Sequence, residues 1–166
     1  MAEPAHQQDL KRTALYALNV ELGGKIVPFA GYEMPVQFPS GILKEHLHTR
    51  AAAGLFDVSH MGQAILHLDG GAPTHDAIAA LIEKLTPGEI KGLKPGQIRY
   101  TLLLNDEGGI RDDLMVTRPR DPANTGTLFL VVNAGTKDAD FAHIASKLKG
   151  RARLERLDDR ALIALQ

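Results

Sequence analysis

YTLLLNDEGGIRDDLMVT, residues 100–117, is the stretch whose reading decides the fold. An apolar run over residues 101–104 meets the turn cluster Asn105-Asp106-Glu107-Gly108-Gly109, and a second apolar-patterned run follows at once. Together they predict a β-hairpin. Successive strand residues point to opposite faces, so Asp112 falls in line with Ile110, Leu114 and Val116, while Asp113 shares the other face with Arg111, Met115 and Thr117. A carboxylate among strand residues must be solvated, paired with a cation or used, because an unpaired buried charge is very costly. Alternation alone reads the two aspartates as solvated or paired with Arg111, with a catalytic role for one of them as the competing reading.

Around this hairpin lies a chain of 166 residues, enough for one domain with a sizeable core or for two small lobes. Hydrophobic residues make up 44% and charged residues 23%, which argues against fibrous, collagen-like and wholly disordered classes. A net charge of -1 gives no field that would collect nucleic acid or an anionic membrane. Cysteine is absent, which excludes disulfides, thiolate metal sites and cysteine nucleophiles. No run approaches the roughly 18 consecutive apolar residues of a membrane helix. The start, MAEPAHQQDLKRT, has no apolar core for a signal peptide, and Glu3 and Asp9 are atypical of an organelle transit sequence, so the expected location is the cytoplasm. Residues 1–12 are expected to form a flexible extension, followed by one domain over residues 13–166.

The flanking segments supply the remaining elements. Leu15, Leu18 and Leu22 predict a short helical turn stopped by Gly23-Gly24. Residues 25–38, with Pro28, Pro35 and Gly31, read as irregular or edge chain rather than a central strand. Residues 42–53 read as a helix, with Ser40 near its start and Gly54 as its stop. His46 and His48 on that helix are two apart and face different ways, so they do not form the i, i+4 pair of a metal site, and no metal is expected. Asp57, Ser59 and His60 are crowded together, where triad members come from distant parts of a fold, and a hydrogen-bonded turn is the preferred reading. A strand follows over residues 63–68. Thr74 is placed to cap a helix over residues 75–85, whose Ile78, Leu81, Ile82 and Leu85 share one apolar face. Residues 118–127 form a polar loop, residues 128–132 a buried-type strand that completes an antiparallel meander, and Thr136 is placed to cap a helix reaching to residue 148. Residues 153–157 and 161–165 read as strands around an Asp158-Asp159 turn. The expected class is α+β, a mainly antiparallel sheet with packed helices.

Several chemical signatures are missing: no Walker-type loop, no GxGxxG, no HExxH and no GxSxG. Polar residues on hairpin and loops remain, Asp113, Tyr100, Asn133, Asp57 and His60, and physics alone does not decode them. The blocks KIVPFAGYEMPVQF (25–38), HLHTRAAAGLFDVSHMGQ (46–63), RYTLLLNDEGGIRDDLMV (99–116) and LFLVVNAGTKDADF (128–141) resemble those of the aminomethyltransferase family, the T-protein of the glycine cleavage system. They occur in the family's order and at its distances, over nearly all of the chain after residue 12. The FDVSHMG block and the Asn-x-x-Gly-Gly-x-x-Asp-Asp-Leu hairpin carry the specificity.

The resemblance implies transfer of the methylene of an aminomethyl group, held on the lipoyl arm of the H-protein, to tetrahydrofolate, with release of ammonia. The family's functional carboxylate, the second of its Asp-Asp pair, falls on Asp113. Methylene transfer passes through cationic, iminium-like species and a secondary amine must lose a proton, so a fixed anion beside the folate nitrogens both orients and stabilises. By the same resemblance Tyr100, Met61 and Asn133 would line the folate pocket or its approach, with Asp57 and His60 supporting the loop beneath. Two positions depart from the family pattern: Tyr32 stands where Trp is usual, and Arg111 where an aliphatic residue is usual. Family members continue well beyond the equivalent of Gln166, and the apolar strand at the end of this chain reads as interrupted. The chain is therefore expected to be the N-terminal part of a tetrahydrofolate-binding domain, truncated and lacking the C-terminal β-barrel. Two further readings stay open: a non-catalytic folate-binding or H-protein-docking module, and the folate module of a dimethylglycine or sarcosine oxidase-like enzyme.

Overall fold

In a computed structural model, which describes residues 10–166, the chain divides into two compact units. One takes in the chain up to His60 together with Arg160–Gln166, and the other runs from Met61 to Asp159. In chain order the elements are α1 (Tyr16–Glu21), β1 (Ile26–Phe29), β2 (Tyr32–Pro35), α2 (Ile42–Ala51), β3 (Leu55–Asp57), β4 (Gly62–Leu68), α3 (His75–Ile82), β5 (Ile98–Leu104), β6 (Ile110–Thr117), β7 (Thr127–Val132), α4 (Lys137–Leu148), β8 (Ala152–Arg156) and β9 (Ile163–Leu165), with a 3-10 turn at Pro122–Asn124. Every strand pairing in the three sheets is antiparallel, and the class is the α+β arrangement expected from the order of elements.

In the first unit β1 and β2 form a two-stranded hairpin, where the sequence read irregular or edge chain. Both strands are edges, so Pro28 and Pro35 remove no ladder bond that a central strand would need. The turn between them, Ala30 and Gly31, has positive φ at both residues (48° and 80°), the conformation whose twist suits a two-residue hairpin loop. Lys11 bridges to Tyr32, and Arg12 pairs with Glu33 at 2.5 Å, so residues 11 and 12 of the expected extension are tied to this hairpin. Residues 1–9 of that extension lie outside the described residues. The start of α2 is not capped by Ser40. Glu45, in the helix's first turn, instead accepts from the Phe38 N–H at 2.8 Å and from the Ser40 hydroxyl at 3.4 Å. The two C-terminal strands do not pair with each other around the Asp158-Asp159 turn. β9 pairs with β3 in the first unit, whereas β8 joins the sheet of the second.

The second unit is a five-stranded sheet in the order β5-β6-β7-β4-β8, and β5-β6-β7 is the expected meander. Its core forms where Leu103, Leu114, Val116, Leu128, Leu130, Val132, Ala64 and Leu66 meet Ile78 and Ile82 of α3 and Phe141, Ile144 and Leu148 of α4. Each of the Leu, Val, Ile and Phe side chains among them contributes about 1.5–3 kcal/mol when fully buried. The cap expected for α3 is present, with the Thr74 hydroxyl accepting from the Ala77 N–H at 3.2 Å. Gly62 opens β4 where backbone and helix pass closely: a Cβ there would lie 2.7 Å from both Lys137 Cβ and Val132 Cγ2. The hairpin turn is anchored by Asn105, whose Oδ1 accepts from the N–H groups of Glu107 (3.1 Å) and Gly109 (2.7 Å), the local bond that makes Asn a turn residue.

Candidate functional site

Strand register brings the site together at one end of the five-stranded sheet. Leu114 and Gly62 both pair with Val132, so Asp113, Met61 and Asn133, each one residue beyond those partners, lie at the same end of three neighbouring strands. The alternation read from the sequence holds. Asp112 stands opposite Leu103, which is fully buried, and so belongs to the face that α3 and α4 cover. Asp113 stands opposite Leu102 on the other face, the one that also carries Met115 and its exposed cross-strand partner Tyr100.

Asn133 joins the two faces. Its side-chain amide donates to Asp112 Oδ1 at 2.8 Å and to Asp113 Oδ1 at 3.1 Å. The Asp113 N–H donates to Asp112 Oδ1 at 2.8 Å, and the Thr136 hydroxyl donates to Asp112 Oδ2. Burial pushes the Asp112 carboxyl upward, but the bonds from Thr136, Asn133, the Asp113 N–H and Asp140 outweigh it and hold the group below the usual carboxylate range. On the open face the Tyr100 phenol is raised above its ordinary value by its hydrogen bond to the Asp113 carboxylate and by that carboxylate's charge. A phenol so held keeps its proton and stays a donor.

Of the four residues expected at the site, Asp113 and Asn133 are therefore hydrogen-bonded, Tyr100 stands on the face of Asp113 with its phenol raised by that carboxylate, and Met61, half-buried, sits at the end of the adjoining strand. The pairing of the aspartates with Arg111 does not occur. Among the described residues Arg111 enters no ion pair, and its charge acts on Asp140. Thr136 and Asp140 are participants that reading the sequence missed. Thr136 occupies the N-terminal flank of α4, but its hydroxyl is engaged by Asp112 and makes no capping bond. Asp140 carried a visible signal: it lies four and eight residues before Ile144 and Leu148, a carboxylate in line with the core stripe of its helix.

Asp57 and His60 belong to the first unit. Asp57 accepts from the Ser59 N–H (3.0 Å), the Thr13 hydroxyl (2.8 Å) and the Asn19 amide (2.9 Å), a network that ties a turn to α1. Burial raises its carboxyl, and the bonds from Ser59, Thr13 and Asn19 prevail and hold it low. Ser59 exchanges bonds with the backbone of Leu162, and the His60 ring lies edge-on to Phe29 at 5.6 Å and Tyr32 at 6.2 Å. This is the hydrogen-bonded turn preferred over a triad. The same unit holds a cavity of about 480 Å³, lined chiefly by Leu15, Leu18, Leu22, Phe38, Leu55 and Phe56.

A carboxylate held by an amide at the end of an antiparallel sheet, on a face that also carries an exposed phenol, is an arrangement that can accept a proton or hold a cation. The sequence profile described as the GCVT N-terminal domain matches residues 15–166, and the chain belongs to that family. It is 42% identical to the mitochondrial aminomethyltransferase of Dictyostelium discoideum, over 95% of this chain and 38% of that protein, and 43% identical to the aminomethyltransferase of a Synechococcus species, over 95% and 42%. The crystal structure of glycine cleavage system aminomethyltransferase T from Bartonella henselae superposes with a TM-score of 0.82 at 40% identity, over 95% of this chain and 41% of that one. The chain thus spans about two fifths of the length of the curated relatives it matches.

Proposed function

We propose that the chain is the N-terminal part of a tetrahydrofolate-dependent aminomethyltransferase, with residues 13–166 contributing to its folate-binding domain. In this reading the methylene of an aminomethyl group on the lipoyl arm of an H-protein passes to tetrahydrofolate in the cytoplasm, and ammonia leaves. Asp113 is the working carboxylate. Its charge stabilises the cationic methylene carrier, and it takes the proton that a folate nitrogen loses as the new C–N bond forms. Asn133 and Tyr100 fix the orientation of that carboxylate, and Met61 supplies apolar contact at the neighbouring strand end.

The observation that carries this reading is the placement of Asp113. It is the one carboxylate of the hairpin pair on the open face, the Asn133 amide bonds to it, and its charge acts on the Tyr100 phenol of the same face. The family membership and the names of the relatives support the reaction class. The test follows formation of methylenetetrahydrofolate from aminomethylated H-protein. Asp113→Asn is expected to lose at least the ~10²–10⁴-fold that a positioned proton acceptor contributes, with folate binding retained. Equal turnover in the variant overturns the assignment, and folate binding without turnover in the unaltered chain assigns it to the non-catalytic folate-binding module.

A further inference from the structure

The first unit has almost no apolar interior. Among its described residues Met34 is the one hydrophobic side chain that is buried, while the core cluster belongs entirely to the second unit. Apolar side chains stay exposed on the ribbon formed by β3 and β9, which no third strand joins among the described residues. Its register sets Leu55 opposite Leu165 and Asp57 opposite Ile163. Leu55 and Leu165 are each 72% exposed, and Ile163 is 53% exposed. A two-stranded ribbon is marginal alone in water, and an unblocked apolar edge is a template for another strand.

The ladder determines which backbone groups of β9 stay free. Gly54 and Gln166 exchange both of their bonds, at 2.8 and 3.0 Å, and the Val58 N–H donates to the Leu162 carbonyl at 3.0 Å. Bonded pairs alternate along an antiparallel ladder, so Phe56 and Ala164 form the bonded pair between these two. The N–H and C=O groups of Ile163 and Leu165 therefore point away from β3. β9 carries none of the devices that protect an edge: it has no lysine, no proline and no charge.

We propose that β9 is a dimerisation edge, pairing antiparallel with β9 of a second copy of this chain about a twofold axis at Ala164 and joining the two ribbons into one sheet. In that register Ile163 of each copy stands opposite Leu165 of the other, and every outward N–H group meets an outward C=O group. A row of side chains then crosses the sheet from Leu55 and Leu165 to Ile163 and Asp57 of the other copy, and the axis repeats it. The Asp57 carboxylate that ends each row is already held by Ser59, Thr13 and Asn19. The outer edge of β3 offers no such match, because pairing with itself there would set the Asp57 carboxylate opposite Leu55. The symmetry of β9 identifies the occupant: a neutral, apolar strand that complements its own reverse needs no second sequence.

The test is sedimentation velocity of this chain from about 5 µM to about 500 µM, because a dimer is populated according to concentration. The sedimenting mass is expected to rise with concentration from that of one chain toward that of two. Leu165→Pro removes an outward donor and no bond to β3, so it is expected to keep the circular dichroism of the unaltered chain and to stay monomeric throughout. Leu165→Lys sets a charge on the edge and is expected to weaken association at least about tenfold. It keeps the backbone donor and decides by itself if the proline variant does not fold. A single-chain mass at every concentration overturns the proposal and leaves the edge to a strand of another polypeptide, and association that neither variant weakens overturns it as well. None of these readouts involves folate, so their failure leaves the reading of Asp113 to be judged separately by folate binding and turnover.

Discussion

Asp112 and Asp113 are neighbours in sequence with opposite fates, and the pleat of one strand separates them. Asp112, on the covered face, collects donors from Thr136, Asn133 and the Asp113 backbone, so removing it takes the acceptor from three donors at once, two of them half-buried. Asp112→Ala is expected to lower stability by about 1–3 kcal/mol, measured by chemical denaturation, and to loosen Asp113 through Asn133. The pH dependence follows from the same bonds. Asp112 and Asp57 are both held below the usual carboxylate range in the fold, so their stabilisation is fully present above the unfolded value, about 3.9, and is lost as pH falls through the folded values. Asp140 runs the other way. Its raised carboxyl favours folding below the unfolded value, and that contribution fades as pH climbs through the folded one. Denaturation midpoints across the acid range should fall less steeply in Asp57→Asn than in the unaltered chain, because the variant has lost one of the depressed groups. Both aspartates of the hairpin, and which face each takes, were legible from alternation. The network around them was not, because Thr136 reaches Asp112 from 24 residues away and neither local pattern nor spacing encodes that meeting.

At the scale of elements, capping chemistry separates two helices that look alike in sequence. Thr74 and Thr136 both precede an acidic first turn, yet only Thr74 caps. Thr74→Ala should cost about 1 kcal/mol, whereas the loss in Thr136→Ala should appear as a changed Asp112 titration rather than as a frayed helix. The hairpin was readable because Asn105 supplies its own turn bonds and the flanking runs alternate. The β1–β2 hairpin was hidden by its prolines, which mark it as edge chain without revealing that both of its strands are edges. The pairing of β9 with β3 was equally hidden, since it joins segments more than a hundred residues apart and short apolar strands carry no record of their partner. Gly62 is an element-scale constraint of another kind. A methyl group there meets Lys137 Cβ, Val132 and Phe141, so Gly62→Ala should destabilise the sheet–α4 contact by about 1–3 kcal/mol in denaturant titrations.

For the whole molecule, the apolar patterning identified the strands and helices that build the core of the second unit, and the class followed from their order. The division into two units did not follow, because it depends on which distant segments pair. Ile144 is fully buried between α4 and the sheet and should cost about 2–5 kcal/mol when cut to Ala, with the midpoint of the second unit's unfolding moving accordingly. The function, by contrast, was carried by four blocks of family-like sequence rather than by any motif that physics alone decodes, and the fold adds to it a mutual arrangement of Asp113, Tyr100 and Asn133. The most direct measurement is a titration of this chain with tetrahydrofolate, followed by NMR at the Met61 methyl, the Tyr100 ring, the Asn133 side-chain amide and the Asp113 carboxyl. Saturable shifts at these four positions, retained at Met61, Tyr100 and Asn133 in Asp113→Asn, are the predicted result; signals unmoved at all four would contradict the account.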